Sequence, residues 1–171
     1  MQDVDQSASI SVSAAALRST RTLAGMTKQS GVTDVDEERW CVERRAQVAD
    51  YLIGEGVQHG SIGEWPAWHV APYVSVWAIE SLKSPGWVGW WVICGYLPTD
   101  YVSSEGIRHP REAVRAIAKR WRELVPYLER GEPHPSVSLG THETSATLAP
   151  LLKARGELLS GWADDDSVWP Q

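Results

Sequence analysis

His59, Glu64 and His69 stand within one glycine-rich stretch, and Asp100 and His109 follow downstream. Imidazole and carboxylate groups bind zinc or move protons near neutral pH. His59, Glu64, His69 and Asp100 are therefore the candidate catalytic set, with Glu64 as general base or ligand. Their chemistry would be that of a small hydrolase or a metal-dependent enzyme. The spacing matches no HExxH pattern, nucleophile elbow, phosphate-binding loop or dinucleotide fingerprint. Structural roles for the histidines are expected ahead of a site, and the sequence assigns no metal centre and no cofactor.

Aromatic and basic residues supply the other candidates. Ten tryptophans stand in a chain with no phenylalanine, and each large aromatic buries roughly 150–250 Å². Trp87, Trp90 and Trp91 cannot all face one core. They are expected to staple helices to both faces of a sheet; the functional rival is an aromatic platform that leaves one or two exposed. Trp65, Trp68, Tyr96 and Tyr101 are the candidate partner contacts. Arg111, Arg115, Lys119 and Arg122, with Arg108 before them, form a basic stripe where a phosphate or acidic partner could dock. The plainer account of that stripe is a solvated helix face making local ion pairs. Pro98-Thr-Asp-Tyr reads as a turn in which the Asp100 side chain bonds nearby backbone N–H groups. Glu80, alternating with Val74, Val76 and Ala78, must reach water near a strand end or pair with a base such as an arginine.

The composition bounds what these residues can belong to. The 171 residues suit one core, and 43% hydrophobic with 22% charged residues is ordinary for a globular protein. No run approaches the roughly 18 apolar residues a membrane helix needs. A net charge of −6 argues against wholesale nucleic-acid binding. Cys41 and Cys94, in unrelated contexts, read as buried free thiols of a cytoplasmic protein. Residues 1–33 hold no aromatic residue and no sustained period, so they read as a disordered tail, and Met26 offers an internal translation start. Asp3, Asp5 and the serines that break Ile10–Leu17 do not fit a secretory signal.

The elements follow from periodicity. Thr33 and an acidic first turn start a helix at about residue 35; Cys41, Arg45, Val48 and Leu52 mark one face, and Gly54 and Gly56 end it. Glu55–Pro72 is too apolar for a disordered loop and is expected to pack on the core. Tyr73–Ser81 and Trp87–Tyr96 read as a β-hairpin about the Lys83-Ser-Pro-Gly turn. On the second strand Val88, Trp90, Val92 and Cys94 face one way, and Trp87, Trp91 and Ile93 the other. With neither face polar, the sheet must be covered on both sides. Pro110 opens the clearest helix, marked by Val114, Ile117, Ala118, Trp121, Leu124, Val125 and Leu128, with a kink or an end expected near Val125 because of Pro126. Gly131–Gly140 reads as a linker. Leu148 to Trp162 outline a last helix, started or kinked at Pro150 and closed near Gly161. The expectation is one α+β domain over 34–171: a small antiparallel hairpin or sheet packed by about three helices.

These motifs carry a family resemblance. His69-Val-Ala-Pro-Tyr-Val-Ser-Val-Trp-Ala-Ile, Trp90-Trp-Val-Ile-Cys-Gly-Tyr-Leu-Pro-Thr-Asp-Tyr, Arg111-Glu-Ala-Val-Arg with Trp121, Leu151-Leu-Lys-Ala-Arg and Trp169 together resemble a bacterial family, domain of unknown function 4826. The family pattern has Asp where this chain has Tyr96, which weakens any argument for a carboxylate pair with Asp100. The resemblance implies a small bacterial cytosolic protein and brings no activity, cofactor or catalytic residue. The reading that fits best is a noncatalytic protein-binding or regulatory module, antidote-like in neutralising or accompanying another protein; the hydrolase or metal-dependent enzyme is the alternative. A protein partner is expected to meet the Gly54–Pro72 loop and the open end of the hairpin. The sequence sets no oligomeric state.

Overall fold

The computed structural model describes residues 9–10, 34–135, 138–139 and 145–170. Of the amino-terminal tail only Ser9–Ile10 falls among them; disorder, the Thr33 cap and the start at Met26 lie outside the described residues. In chain order the elements are β1 (Ser9–Ile10), α1 (Asp34–Gly54), β2 (Trp68–Val70), β3 (Val74–Glu80), β4 (Val88–Gly95), β5 (Asp100–Ser103), α2 (Pro110–Arg130), β6 (Ser138–Leu139) and α3 (Ser145–Asp164). A 3-10 turn at Asp166–Val168 follows. Strands β2 to β5 form one antiparallel meander in sequence order, and β1 pairs in parallel with β6.

Strand alternation gives the sheet two apolar faces. Val74 and Val76 of β3 with Trp91 and Ile93 of β4 pack against Val114, Ile117 and Trp121 of α2 and Leu152 and Leu159 of α3. Trp77, Ile79, Val92 and Cys94 point the other way, into a smaller core with Val48 and Leu52 of α1. Helices thus cover both faces, α1 on one and the α2–α3 pair on the other, in the α+β arrangement that the doubly apolar strands require. A bulge between Ile79 and Glu80 pairs Glu80 with Val88 and Ile79 with Trp90. The extra residue reverses the alternation, so Val88 joins the α2–α3 core instead of the face of Trp90, Val92 and Cys94. Trp87 lies on neither face and is 72% exposed.

Two prolines act differently from their sequence reading. Helix α2 runs through Pro126 to Arg130, where Gly131 closes it at φ 65°. Pro126 is exposed, while Leu124, Val125 and Leu128 are buried on the core side. Burial of those side chains offsets the one backbone bond that proline removes. Pro150 lies inside α3, which continues past Gly161 to Asp164. A Cβ added at Gly156 would meet Arg122 Cγ at 3.3 Å and the Ala118 carbonyl at 3.5 Å, so α2 and α3 pack closely there.

Candidate functional site: an aromatic and acidic face at one end of the sheet

The long segment between α1 and β3 is ordered by pairing with its neighbours, and it holds a strand the sequence did not reveal, β2. Trp68, His69 and Val70 pair with Val76, Ser75 and Val74, and Ile62 bridges to Ile79. Arg45 of α1 donates to the Gly63 and Ile62 carbonyls, each at 2.9 Å. Glu80 fastens the far end. One carboxylate oxygen accepts from Ser61 Oγ at 2.6 Å and Ser61 N at 3.0 Å, and the other accepts from Gly86 N at 2.7 Å. Those three donors, the Ser61 hydroxyl foremost, lower the Glu80 pKa from 4.5 to about 2. Glu80 therefore sits at the strand end, partnered by a hydroxyl and two backbone amides rather than by an arginine.

At the other end, three rings line up where the loop meets the start of α1. The His69 ring centroid is 6.2 Å from that of Trp40 and 5.9 Å from that of Trp65, the latter edge to face. His69 Nε2 lies 2.6 Å from Glu37 Oε1, which fixes the imidazole between the indoles. Beside Trp40 a recess of about 320 Å³ is lined by Asp36, Arg39, Trp40, Glu43, Ala71 and Pro72. The Ala71–Pro72 peptide is cis. Beyond Pro72 the aromatic surface continues through Tyr73 to Tyr96, whose rings meet edge to face at 6.4 Å. Trp65 and Tyr96 are each 47% exposed. Of the charged side chains from Asp36 to Arg44, Asp36, Glu37, Glu38 and Glu43 oppose Arg39 and Arg44. Half-exposed aromatics rimmed by carboxylates suit contact with another molecule, and the carboxylates favour cationic groups there.

The four catalytic candidates do not converge. His59 hydrogen-bonds the Gly60 carbonyl at 2.7 Å, and Gly60 N in turn donates to the Glu80 carbonyl. His69 pairs with Ser75. At about 3.3 Å per residue, those anchor points on β3 are roughly 16 Å apart. Glu64 is exposed. Asp100 is wholly buried on β5 rather than in a turn, and its row partner Ile93 places it on the α2 side of the sheet. Its carboxylate accepts from Arg120 and from Trp121 Nε1 at 2.7 Å, and the other oxygen takes the Tyr101 N–H at 2.8 Å. Complete burial pushes the Asp100 pKa up, against Arg120 and the two N–H groups that hold the charged form. His109 caps α2: its Nδ1 accepts from Arg111 N, and Glu112 closes the capping box. Among the described residues no three His, Cys, Asp or Glu side chains are grouped to hold a metal ion.

Two of the four partner candidates belong to the interior. Trp68 is 4% exposed, stacks on Trp169 with centroids 4.2 Å apart and donates to the Val168 carbonyl. Tyr101, equally buried, packs edge to face on Tyr51 and Trp90. The pleat explains both: each points inward from its strand, as the paired Val76 and Val92 do. The basic stripe is also partly engaged. Arg111 Nε and Arg115 donate to the Ala163 carbonyl at 2.6 and 2.9 Å, and Arg111 pairs with Asp166 at 2.6 Å. These cations satisfy the carboxy-terminal end of α3. Lys119 faces Glu123 at 3.9 Å, and the Arg122 stem packs over Gly156.

Trp40, Glu37 and the recess carboxylates form the part of this face that sequence reasoning missed. Trp40 lies on α1, and only the distant pairing of β2 with β3 brings His69 to it. Cys41 and Cys94 are buried free thiols, each pushed up to about 11 chiefly by desolvation. No described helix is long and apolar enough to cross a membrane.

Fold and site define a small α+β protein with helices on both faces of an antiparallel sheet and an aromatic, acidic surface at one sheet end. The chain belongs to the family described as Domain of unknown function (DUF4826), whose model matches residues 34–169. No curated protein and no solved structure matches it.

Proposed function

We propose that this protein is a noncatalytic binding or regulatory module of the bacterial cytoplasm, one that neutralises or accompanies a partner protein through the face running from Trp65 to Tyr96. The observation that carries the reading is the exposure of Trp65 and Tyr96 beside the Trp40 recess. Most of the other aromatics are committed to packing. Indole and phenol rings supply large contact area at low entropic cost and dominate protein interfaces. The dispersal of His59, Glu64, His69 and Asp100 also favours binding over acid–base or metal chemistry.

Native mass spectrometry of the protein isolated gently from its host tests this. The expected spectrum contains a stoichiometric protein partner that is lost from Trp65→Ser/Tyr96→Ser. A partner retained by that variant would place the interface elsewhere. A metal or small-molecule adduct lost on replacing His59 or His69 would favour the enzyme instead.

A further inference from the structure

We infer that the recess beside Trp40 receives a lysine or arginine side chain of the partner protein. This inference rests on the binding-module reading and specifies the chemistry of the partner. Asp36 and Glu43 stand on the recess lining with the Trp40 indole. Arg39, the one cation on that lining, is tied to Asp36 at 2.5 Å. Glu43 has a looser pairing, 3.6 Å from Arg44, and its side chain is 57% exposed. An incoming cation therefore finds a carboxylate within reach and an aromatic ring beside it. The protein already uses the same pairing internally, since Arg44 Cζ sits 5.9 Å from the Trp40 ring centroid. Ala71 and Pro72 complete the wall with apolar surface, on which the methylene stem of a lysine or arginine packs while its charged end meets the carboxylates. The surplus of carboxylates from Asp36 to Arg44 steers a basic segment toward the face and repels an acidic one.

The test titrates the full chain with a hexa-arginine peptide, a hexaglutamate peptide and a neutral Gly-Ser peptide of equal length. Affinity is read by calorimetry and the contact by the indole N–H resonances. Trp40→Phe removes the better cation acceptor while keeping a ring. Trp40 Nε1 has no hydrogen-bond partner among the described residues, so the exchange sacrifices no described bond. Glu43→Gln removes the exposed carboxylate, and Glu105→Gln, in the exposed turn that follows β5, serves as the charge control. Hexa-arginine alone is expected to bind, about three- to tenfold more weakly to Trp40→Phe, roughly threefold more weakly to Glu43→Gln, and unchanged to Glu105→Gln.

Equal weakening by Glu105→Gln would reveal diffuse attraction and overturn the inference, as would equal binding of the neutral peptide. If hexa-arginine fails to bind while the Trp65 and Tyr96 face still retains its protein partner, the cationic contact is wrong and the binding module stands. Loss of both observations removes both.

Discussion

Asp100 shows how a residue with catalytic credentials can serve the fold. Its carboxylate is buried against Arg120, whose side chain is 19% exposed, and Arg120 also donates to the Tyr101 carbonyl at 2.7 Å. Removing one member of a buried pair leaves the other charge uncompensated. Asp100→Asn should therefore destabilise the protein by about 2–4 kcal/mol, allowing for the partial exposure of Arg120. Urea unfolding measures this, and a loss well under about 1 kcal/mol would mean that Arg120 finds water instead. Glu80 gives a pH signature with a defined sign. Its folded pKa, about 2, lies below the ordinary 4.5, so its stabilisation is complete above 4.5 and disappears as pH falls toward 2. Glu80→Gln should flatten that part of the stability profile. An unchanged profile in the variant would assign the acid sensitivity to other carboxylates.

At the scale of elements, periodic apolar residues made most of the fold legible. The face marked by Val114, Ile117, Ala118, Trp121, Leu124 and Leu128 is the buried face of α2, and the doubly apolar β3–β4 hairpin is covered on both sides. What escaped was decided by distant pairing. Strand β2 has only three residues, too few for a period, and exists because β3 offers a free edge. The bulge at Ile79 and Glu80 moves Val88 to the other face, a shift that strict alternation cannot announce. For the candidate face, residue type singled out Trp65 and Tyr96, which are half-exposed, and equally Trp68 and Tyr101, which are core; residue type alone does not separate the two pairs. Pro126 offers an element-scale test. Its ring costs α2 one bond on the exposed side, so Pro126→Ala should raise stability by about 1–3 kcal/mol, less whatever the unfolded chain gains in freedom. A destabilised variant would show that the proline shapes how α2 meets the core.

Across the whole molecule, the carboxy-terminal end locks the structure. Trp169 stacks on Trp68 of β2, donates to the Trp162 carbonyl of α3 at 2.8 Å, and lies 5.8 Å beneath the Arg111 guanidinium of α2. One side chain thus joins the edge strand to both helices of the larger core. Trp169→Ala should cost about 3–5 kcal/mol, whereas Trp87→Ala, at a ring 72% exposed, should stay within about 0.5 kcal/mol. Comparable thermal shifts for the two would contradict that division. The two ends of the sheet are likewise distinct: Glu80, Ser61 and Gly86 close one, and the rings of Trp65, His69 and Trp40 gather at the other.

The most direct test of the proposed partner contact is photo-crosslinking in the host cell from a benzophenone side chain placed at position 65, with position 82, where Leu82 is also exposed, as the control at the opposite sheet end. A single defined protein adduct from position 65, absent from position 82 and diminished by Tyr96→Ser, is the predicted result. Adducts from position 82 alone, or none from position 65, would contradict the assignment of this face to a protein partner.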